Sequence, residues 1–397
     1  MKRIGERGRV ISALGMVMIL TWGSTFYLLA VLSGPIRAET GWSAGAVTAG
    51  ISIALLVSGL AASRIGLLIQ RQGGRRVLVA GVLLIAAGLV ILGLSRSLPL
   101  YLAAWAVLGL GMAASLYDAA FSTLGRLYGR GARKAITALT LWGGFASTVC
   151  WPVSAFLVDS VGWRATCFAY AALHLVLTAP LCWFALPKAP PAQAAASPGQ
   201  ARPSPATNAF GLRFWCIAVA GAALSMLSAI WSIHLITILT AEGHAMAAAV
   251  ALGTVIGPAQ VGARIVEMLG RERHHPIWTM IASASLVLAG FSGLMLGLPA
   301  GPALVAFGAG NGLWSIARGA LPLAIFDPQD YARIMGRLAR PMLLASAVAP
   351  LLGALLIQAY GPHAMLTALV LGALVPLGAA ILLLLDLNRG GNRYALR

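Results

Sequence analysis

Long apolar runs, interrupted by Gly, Pro and clusters of Arg, make up almost the whole chain. An α-helix needs about 20 residues to cross the hydrocarbon core, so the runs predict membrane spans. They fall at about 10–33, 44–69, 77–95, 99–124, 135–158 and 163–186, and again at about 212–239, 246–269, 276–297, 299–326, 341–359 and 363–386. Between the two sets lies 187–210, a proline-rich stretch with almost no bulky apolar residue, which reads as a flexible linker. The predicted fold is an all-α polytopic membrane protein of twelve helices in two pseudo-symmetric halves. The halves are 1–186 and 211–397, joined by 187–210.

Composition agrees with the pattern. Of 397 residues, 59% are hydrophobic and 10% charged, against about 25% charged in soluble domains. Twelve spans use about 240 residues, which leaves no room for a soluble catalytic domain. The chain is expected to be no enzyme. No phosphate-binding loop, zinc-protease helix or nucleophile elbow is present. No cofactor and no metal are expected. The four cysteines lie in apolar stretches without CxxC spacing, which argues against a zinc site or a disulfide framework.

A net charge of +18 would suggest nucleic acid as the partner of a soluble protein. Here the charge follows topology instead. Twenty-two of the 28 Lys and Arg residues fall in the terminal segments and even-numbered loops, and three in the odd loops. By the positive-inside rule, both termini and the linker are cytoplasmic. The preference for Arg over Lys, with abundant Ala and Gly, suggests a GC-rich bacterial genome and so an inner-membrane location. The basic start, MKRIGERGRV, leads into an apolar run followed by Gly34-Pro35 rather than a cleavage site, and reads as a retained first span.

A shift of 200 residues superposes Arg64-Ile65 on Arg264-Ile265, Arg71 on Arg271 and Leu98-Pro99 on Leu298-Pro299. It also places Asp118 on Arg318. Two parallel six-helix halves are expected of one large class of secondary transporter, with the site at their interface.

After the second span the chain reads Gly66-Leu-Leu-Ile-Gln70-Arg71-Gln-Gly73-Gly-Arg75-Arg76. This resembles the signature loop G-x-x-x-D-R-x-G-R-R of the major facilitator superfamily, with Gln70 where the family usually has Asp. Within that superfamily the chain is similar to the bacterial monocarboxylate and oxalate–formate porters. Thr40-Gly41-Trp42-Ser43 resembles their E-x-G-W-S motif, and Gln260-xxx-Arg264 their D-xxx-R pair. The resemblance implies that spans 1, 4, 7 and 10 line a central cavity. It also implies a gating role for Arg71 and Arg75 and a monomeric protein. Trp105 stands where proton-linked drug and sugar porters often carry Arg.

Charge inside a bilayer is costly, so the internal charges are the candidates for chemistry. Asp118 lies eight residues before Arg126, about 12 Å along a helix. Helical spacing puts Ser115, Asp118 and Ser122 on one face of span 4, and Asn311, Trp314 and Arg318 on one face of span 10. The planar guanidinium of Arg318 matches a carboxylate, and Asp118 suits proton coupling or gating. A permanent Asp118–Arg318 brace is the competing reading. Trp22 and Tyr27 in span 1, with Trp231 and His234 in span 7, are candidates for aromatic walls. Gly253, Gly257, Gln260 and Arg264 form a small-to-polar stripe expected to pack against span 5. Glu267 is expected to snorkel, and His174 to face lipid or scaffold.

The function expected is transport of a small, monocarboxylate-like organic anion, by proton coupling or anion exchange. Efflux of drugs or metalloids is the alternative transporter reading. A non-transporting sensor or assembly factor is the alternative of another class.

Overall fold

A computed structural model describes residues 2–188, 211–270 and 273–389. The predicted linker lies outside the described residues except for 187 and 188. Among the described residues every regular element is a helix. They form two compact units: 2–188 with Asp327–Arg340, and 211–326 with 341–389.

In the first unit, α1 (Lys2–Gly23) and α2 (Leu28–Thr40) make one crossing with an irregular turn between them. The sequence predicts an end before Gly34-Pro35, yet α2 runs through Pro35 to Thr40. Proline forfeits one helical hydrogen bond, but Leu32 and Ile36 are buried on either side and hold the turn in place. Next comes α3 (Ala44–Gln72), whose start is capped by the Ser43 hydroxyl accepting the Ala46 N–H. It ends at Gly73, whose φ of +81° is a left-handed value that favours glycine. Then follow α4 (Gly74–Leu94), α5 (Leu98–Ser115), α6 (Tyr117–Tyr128) and α7 (Arg133–Gly144). The long α8 (Ala146–Leu173) holds parts of two crossings, divided at Gly162 (φ 81°, ψ 164°). A one-turn π-helix, His174–Thr178, leads into α9 (Ala179–Ala185).

The second unit contains α10 (Leu212–Ala241), α11 (Met246–Gly253), α12 (Ile256–Leu269), α13 (Pro276–Met295) and α14 (Ala300–Ile325). Last comes α15 (Tyr331–Arg389), whose first turns belong to the first unit. At 59 residues α15 would run about 90 Å if straight, three bilayer cores end to end. It is divided into two crossings at Gly361 (φ 84°, ψ 169°).

Glycines set how closely the helices pack. On α5, a β-carbon at Gly109 would lie 2.8 Å from the Ala54 Cα of α3. One at Gly111 would lie 2.8 Å from the Gly81 carbonyl oxygen of α4. The Ser58 hydroxyl donates to the Gly109 carbonyl at 2.6 Å. On α14, Gly308 meets the Ile256 carbonyl oxygen of α12 and Gly310 the Ser283 carbonyl oxygen of α13, at 2.8 and 2.7 Å from an added β-carbon. The Ser283 hydroxyl donates to the Gly310 carbonyl at 2.7 Å. One helix is thus squeezed between two others in each unit, by glycines 199 positions apart.

The helix ends that begin at Gly162 and Gly361 are also tied alike. In the first unit, Arg164 Nε donates to Glu39 at 2.8 Å. Its Nη1 donates to the carbonyls of both Gly93 and Ser95, at 2.8 and 2.6 Å. Trp163 Nε1 donates to the same Glu39 carboxylate at 2.5 Å. In the second unit, His363 Nδ1 lies 3.1 Å from Glu242. Cys150, Cys167, Cys182 and Cys216 are all buried and unbridged.

Candidate functional site

Three crossings of the first unit lose their regular helix at one cluster of rings. The first breaks at Ser24–Tyr27, the fourth at Leu116 (φ −83°, ψ −167°) and the fifth at Phe145. The local cause in span 1 is its hydroxyl-rich run. Thr21 Oγ1 donates to the Val17 carbonyl at 2.7 Å, and Thr25 Oγ1 to the Thr21 carbonyl at 2.5 Å. Such back-bonding bends helices. The Tyr27 N–H then bonds the Trp22 carbonyl at 3.0 Å, across five residues rather than four. Gly23 has no side chain and lets Cys150 of α8 close in.

The rings gather around this turn. Trp22 meets Phe26, Tyr27 and Tyr117 at centroid distances of 5.4, 6.0 and 5.3 Å. Tyr27 meets Trp151 edge-on at 6.0 Å, and Trp151 Nε1 donates to the Tyr27 carbonyl at 3.2 Å. Phe121 stacks on Tyr117 at 5.2 Å. The two predicted aromatics, Trp22 and Tyr27, thus lie together and half-buried. Sequence reading missed Tyr117 and Phe121. Trp151, beside Pro152, joins them in the cluster.

Asp118 is half-buried in the first turn of α6, beside Tyr117. That is the positive end of the helix dipole. The shared face predicted for Ser115, Asp118 and Ser122 does not form a polar row. The extended Leu116 interrupts the helical register. Both serine hydroxyls are spent on backbone carbonyls, Ser115 on Gly111 at 2.7 Å and Ser122 on Asp118 at 2.6 Å.

The second unit brings its predicted residues together on α14 and its neighbours. Arg318 is half-buried on α14. About two turns earlier on the same helix, Asn311 Oδ1 accepts the Ser228 hydroxyl of α10 at 3.0 Å. Trp314 is 4% exposed and packs against Gly221 of α10. Arg264, 6% exposed, directs its guanidinium at α14. Its Nε lies 3.5 Å from the Gly312 carbonyl and a terminal nitrogen 3.4 Å from Gln260 Oε1.

Several placements differ from the sequence reading. On span 8 the break at Thr254–Val255 separates Gly253 from Gly257, Gln260 and Arg264, and the last two contact Gly312 of α14. Trp231 is fully buried against Phe291 and Phe307, at 5.2 and 5.7 Å, so its ring is taken up in core packing and not in a wall. His234 Nε2 sits 3.3 Å from the Pro350 carbonyl, its ring over Gly353. Glu267 does not snorkel. It accepts the Thr279 hydroxyl at 2.8 Å and lies 3.2 Å from His274. His174 is fully buried, so of the two surroundings expected for it, lipid or scaffold, it has the scaffold.

The signature loop does visible packing work in the first unit. A β-carbon on Gly66 would lie 2.5 Å from the Ala332 carbonyl oxygen and 2.9 Å from the Gly336 Cα. The Gln70 amide donates to the Gln329 carbonyl, a bond that the family's usual carboxylate could not donate. Gly73 supplies the left-handed corner. The Arg75 guanidinium lies 4.5 Å over the Trp183 ring, while Arg71 and Arg76 are exposed.

Comparison with known proteins gives a consistent picture. The family model described as Major Facilitator Superfamily matches residues 13–317. No curated protein sequence matches the chain. Among solved structures it is similar to the human organic anion transporter MFSD10 (TETRAN), with TM-score 0.73 and 15% identity, over 94% of this chain and 99% of that one. It is also similar to the proton:xylose symporter XylE, with TM-score 0.72 and 12% identity, over 95% of each chain. The transporter FucP in its outward conformation gives TM-score 0.71 at 12% identity, over 94% of this chain and 98% of that one.

Proposed function

Because the chain belongs to the major facilitator superfamily, whose members are transporters and not enzymes, we propose that it carries a small organic anion, monocarboxylate-like, across the bacterial inner membrane. The cycle is alternating access, driven by a proton or by exchange for another anion. Both termini are cytoplasmic in this reading and the working unit is a monomer. The halves 1–186 and 211–397 move about the linker 187–210.

The observation that carries the reading is the pair of arginines on apolar helices of the second unit. Arg318 is half-buried on α14, and Arg264 is buried with its guanidinium against that same helix. Cations held within apolar spans mark substrate and ion pathways, and guanidinium favours carboxylates. Arg318 is the anion's principal contact, with Asn311, Gln260 and Trp314 shaping its surroundings. Trp22 and Tyr27 contact the apolar part of the substrate. Asp118 takes the proton or the gating role. The name of the similar human protein, an organic anion transporter, points the same way.

Thermal stability of the purified protein against small anions, cations, sugars and lipophilic drugs tests the reading, with Arg318→Gln alongside. A ligand at 100 times its Kd stabilises by about 2.7 kcal/mol. A shift with carboxylates that vanishes in the variant supports anion transport. A shift with drugs or metalloids that survives in it transfers the assignment to efflux, the reading favoured by the aromatic cluster around Trp22.

A further inference from the structure

We infer that His174 is the positioning residue of the aromatic cluster, holding the irregular turn of span 1 through Ser24. The inference rests on the reading that Trp22 and Tyr27 meet substrate. Ser24, His174 and Thr178 are each fully buried. His174 Nε2 lies 2.7 Å from the Ser24 hydroxyl and Nδ1 2.8 Å from the Thr178 hydroxyl.

The bonds fix a direction. Thr178 donates its hydroxyl proton to the His174 carbonyl at 3.1 Å, so it accepts from Nδ1–H. In that tautomer Nε2 is the acceptor, and the Ser24 hydroxyl donates to it. Every group in the chain is satisfied by a neutral ring, as a buried polar cluster requires.

The local backbone explains why the histidine stands there. Pro180, at the start of α9, has no N–H to offer. The helix widens before it, and the Ala179 N–H bonds the His174 carbonyl across five residues. Such π-turns occur often at functional sites. Here the wide turn of one span faces the irregular turn of another, with one imidazole bridging them. Ser24 is the first residue of the turn that ends at Tyr27, so fixing it fixes the approach of both flanking rings.

Gln and Asn separate this role from mere filling of space. A Gln amide reaches the position of Nε2, whereas an Asn amide reaches that of Nδ1. Hydrogen exchange of the segment 20–28 in the full-length purified protein is compared for wild type, Ser24→Ala, His174→Gln and His174→Asn. Melting shifts with benzoate, lactate and formate accompany it. Ser24→Ala and His174→Asn are expected to raise exchange about tenfold and weaken probe binding several-fold, with His174→Gln within twofold of wild type. Unchanged exchange in Ser24→Ala, or equal effects of Gln and Asn, overturns the inference. Changed exchange with undiminished binding of a probe overturns the positioning role. If wild type binds none of the three anions while exchange follows the expected order, the hold on the turn stands and the anion reading fails.

Discussion

Gly111 and Gly310 solve the same packing problem in two separate units. A β-carbon on either would come within 2.8 Å of a carbonyl oxygen on the neighbouring helix. Backbone cannot yield as a side chain can. Gly111→Val and Gly310→Val should therefore each destabilise by about 1–3 kcal/mol, read as a lower melting temperature in detergent. Gly301→Ala on the same α14, where an added β-carbon meets nothing within 4 Å, should leave stability unchanged or slightly raised. A Gly301 variant as damaging as the Gly310 one would refute the packing argument.

Gly162 and Gly361 test backbone conformation alone. An added β-carbon at either meets open space, yet both hold φ above +80° with ψ near 165°, a region essentially restricted to glycine. Alanine at each should cost about 1–3 kcal/mol, with no loss in the other unit's local exchange pattern. A cost below measurement at both would show that the helix junctions relax freely.

The spans were legible in the sequence because membrane helices announce themselves by length and hydropathy. Helices α3, α10 and α13 start and stop within a few residues of their predicted bounds. The breaks inside spans were only partly legible. Nothing about Leu116 marks its extended backbone, whereas the break at Phe145 directly follows Gly143-Gly144, a pair that loosens a helix. With 46 glycines in the chain, a Gly match says little by itself, and Arg and Pro mark the internal repeat in the sequence. Its packing is nonetheless carried by Gly109 with Gly308 and by Gly111 with Gly310. Trp231 looked like a wall residue because nothing in a sequence distinguishes a ring facing a cavity from one facing Phe291.

Gln70 should be sensitive to the substitution that restores the family's usual residue. Its amide donates to the Gln329 carbonyl, and a carboxylate at neutral pH can only accept. Gln70→Asp should raise amide exchange in 327–335 several-fold, measured by mass spectrometry. Gln70→Asn, shorter but still a donor, tests whether reach or chemistry matters. Slower exchange in Gln70→Asp would contradict this account.

Arg164 should matter more than its acidic partner. It holds two backbone carbonyls as well as Glu39. The ion pair itself is partly exposed, so Glu39→Gln should cost at most about 1 kcal/mol. Arg164→Met strips all three bonds and should lower the melting temperature further. Equal losses would mean that the pair, and not the carbonyl clamp, ties these ends.

The burial of Cys150, Cys167, Cys182 and Cys216 gives the unaltered chain a practical property. Its native thiols are shielded from a membrane-impermeant maleimide while the fold is intact. A single cysteine placed in each basic loop of the otherwise native protein would report its own sidedness in whole cells, without first stripping the chain of sulfur. The same silence makes unfolding audible. When the native thiols begin to react, the bundle has opened.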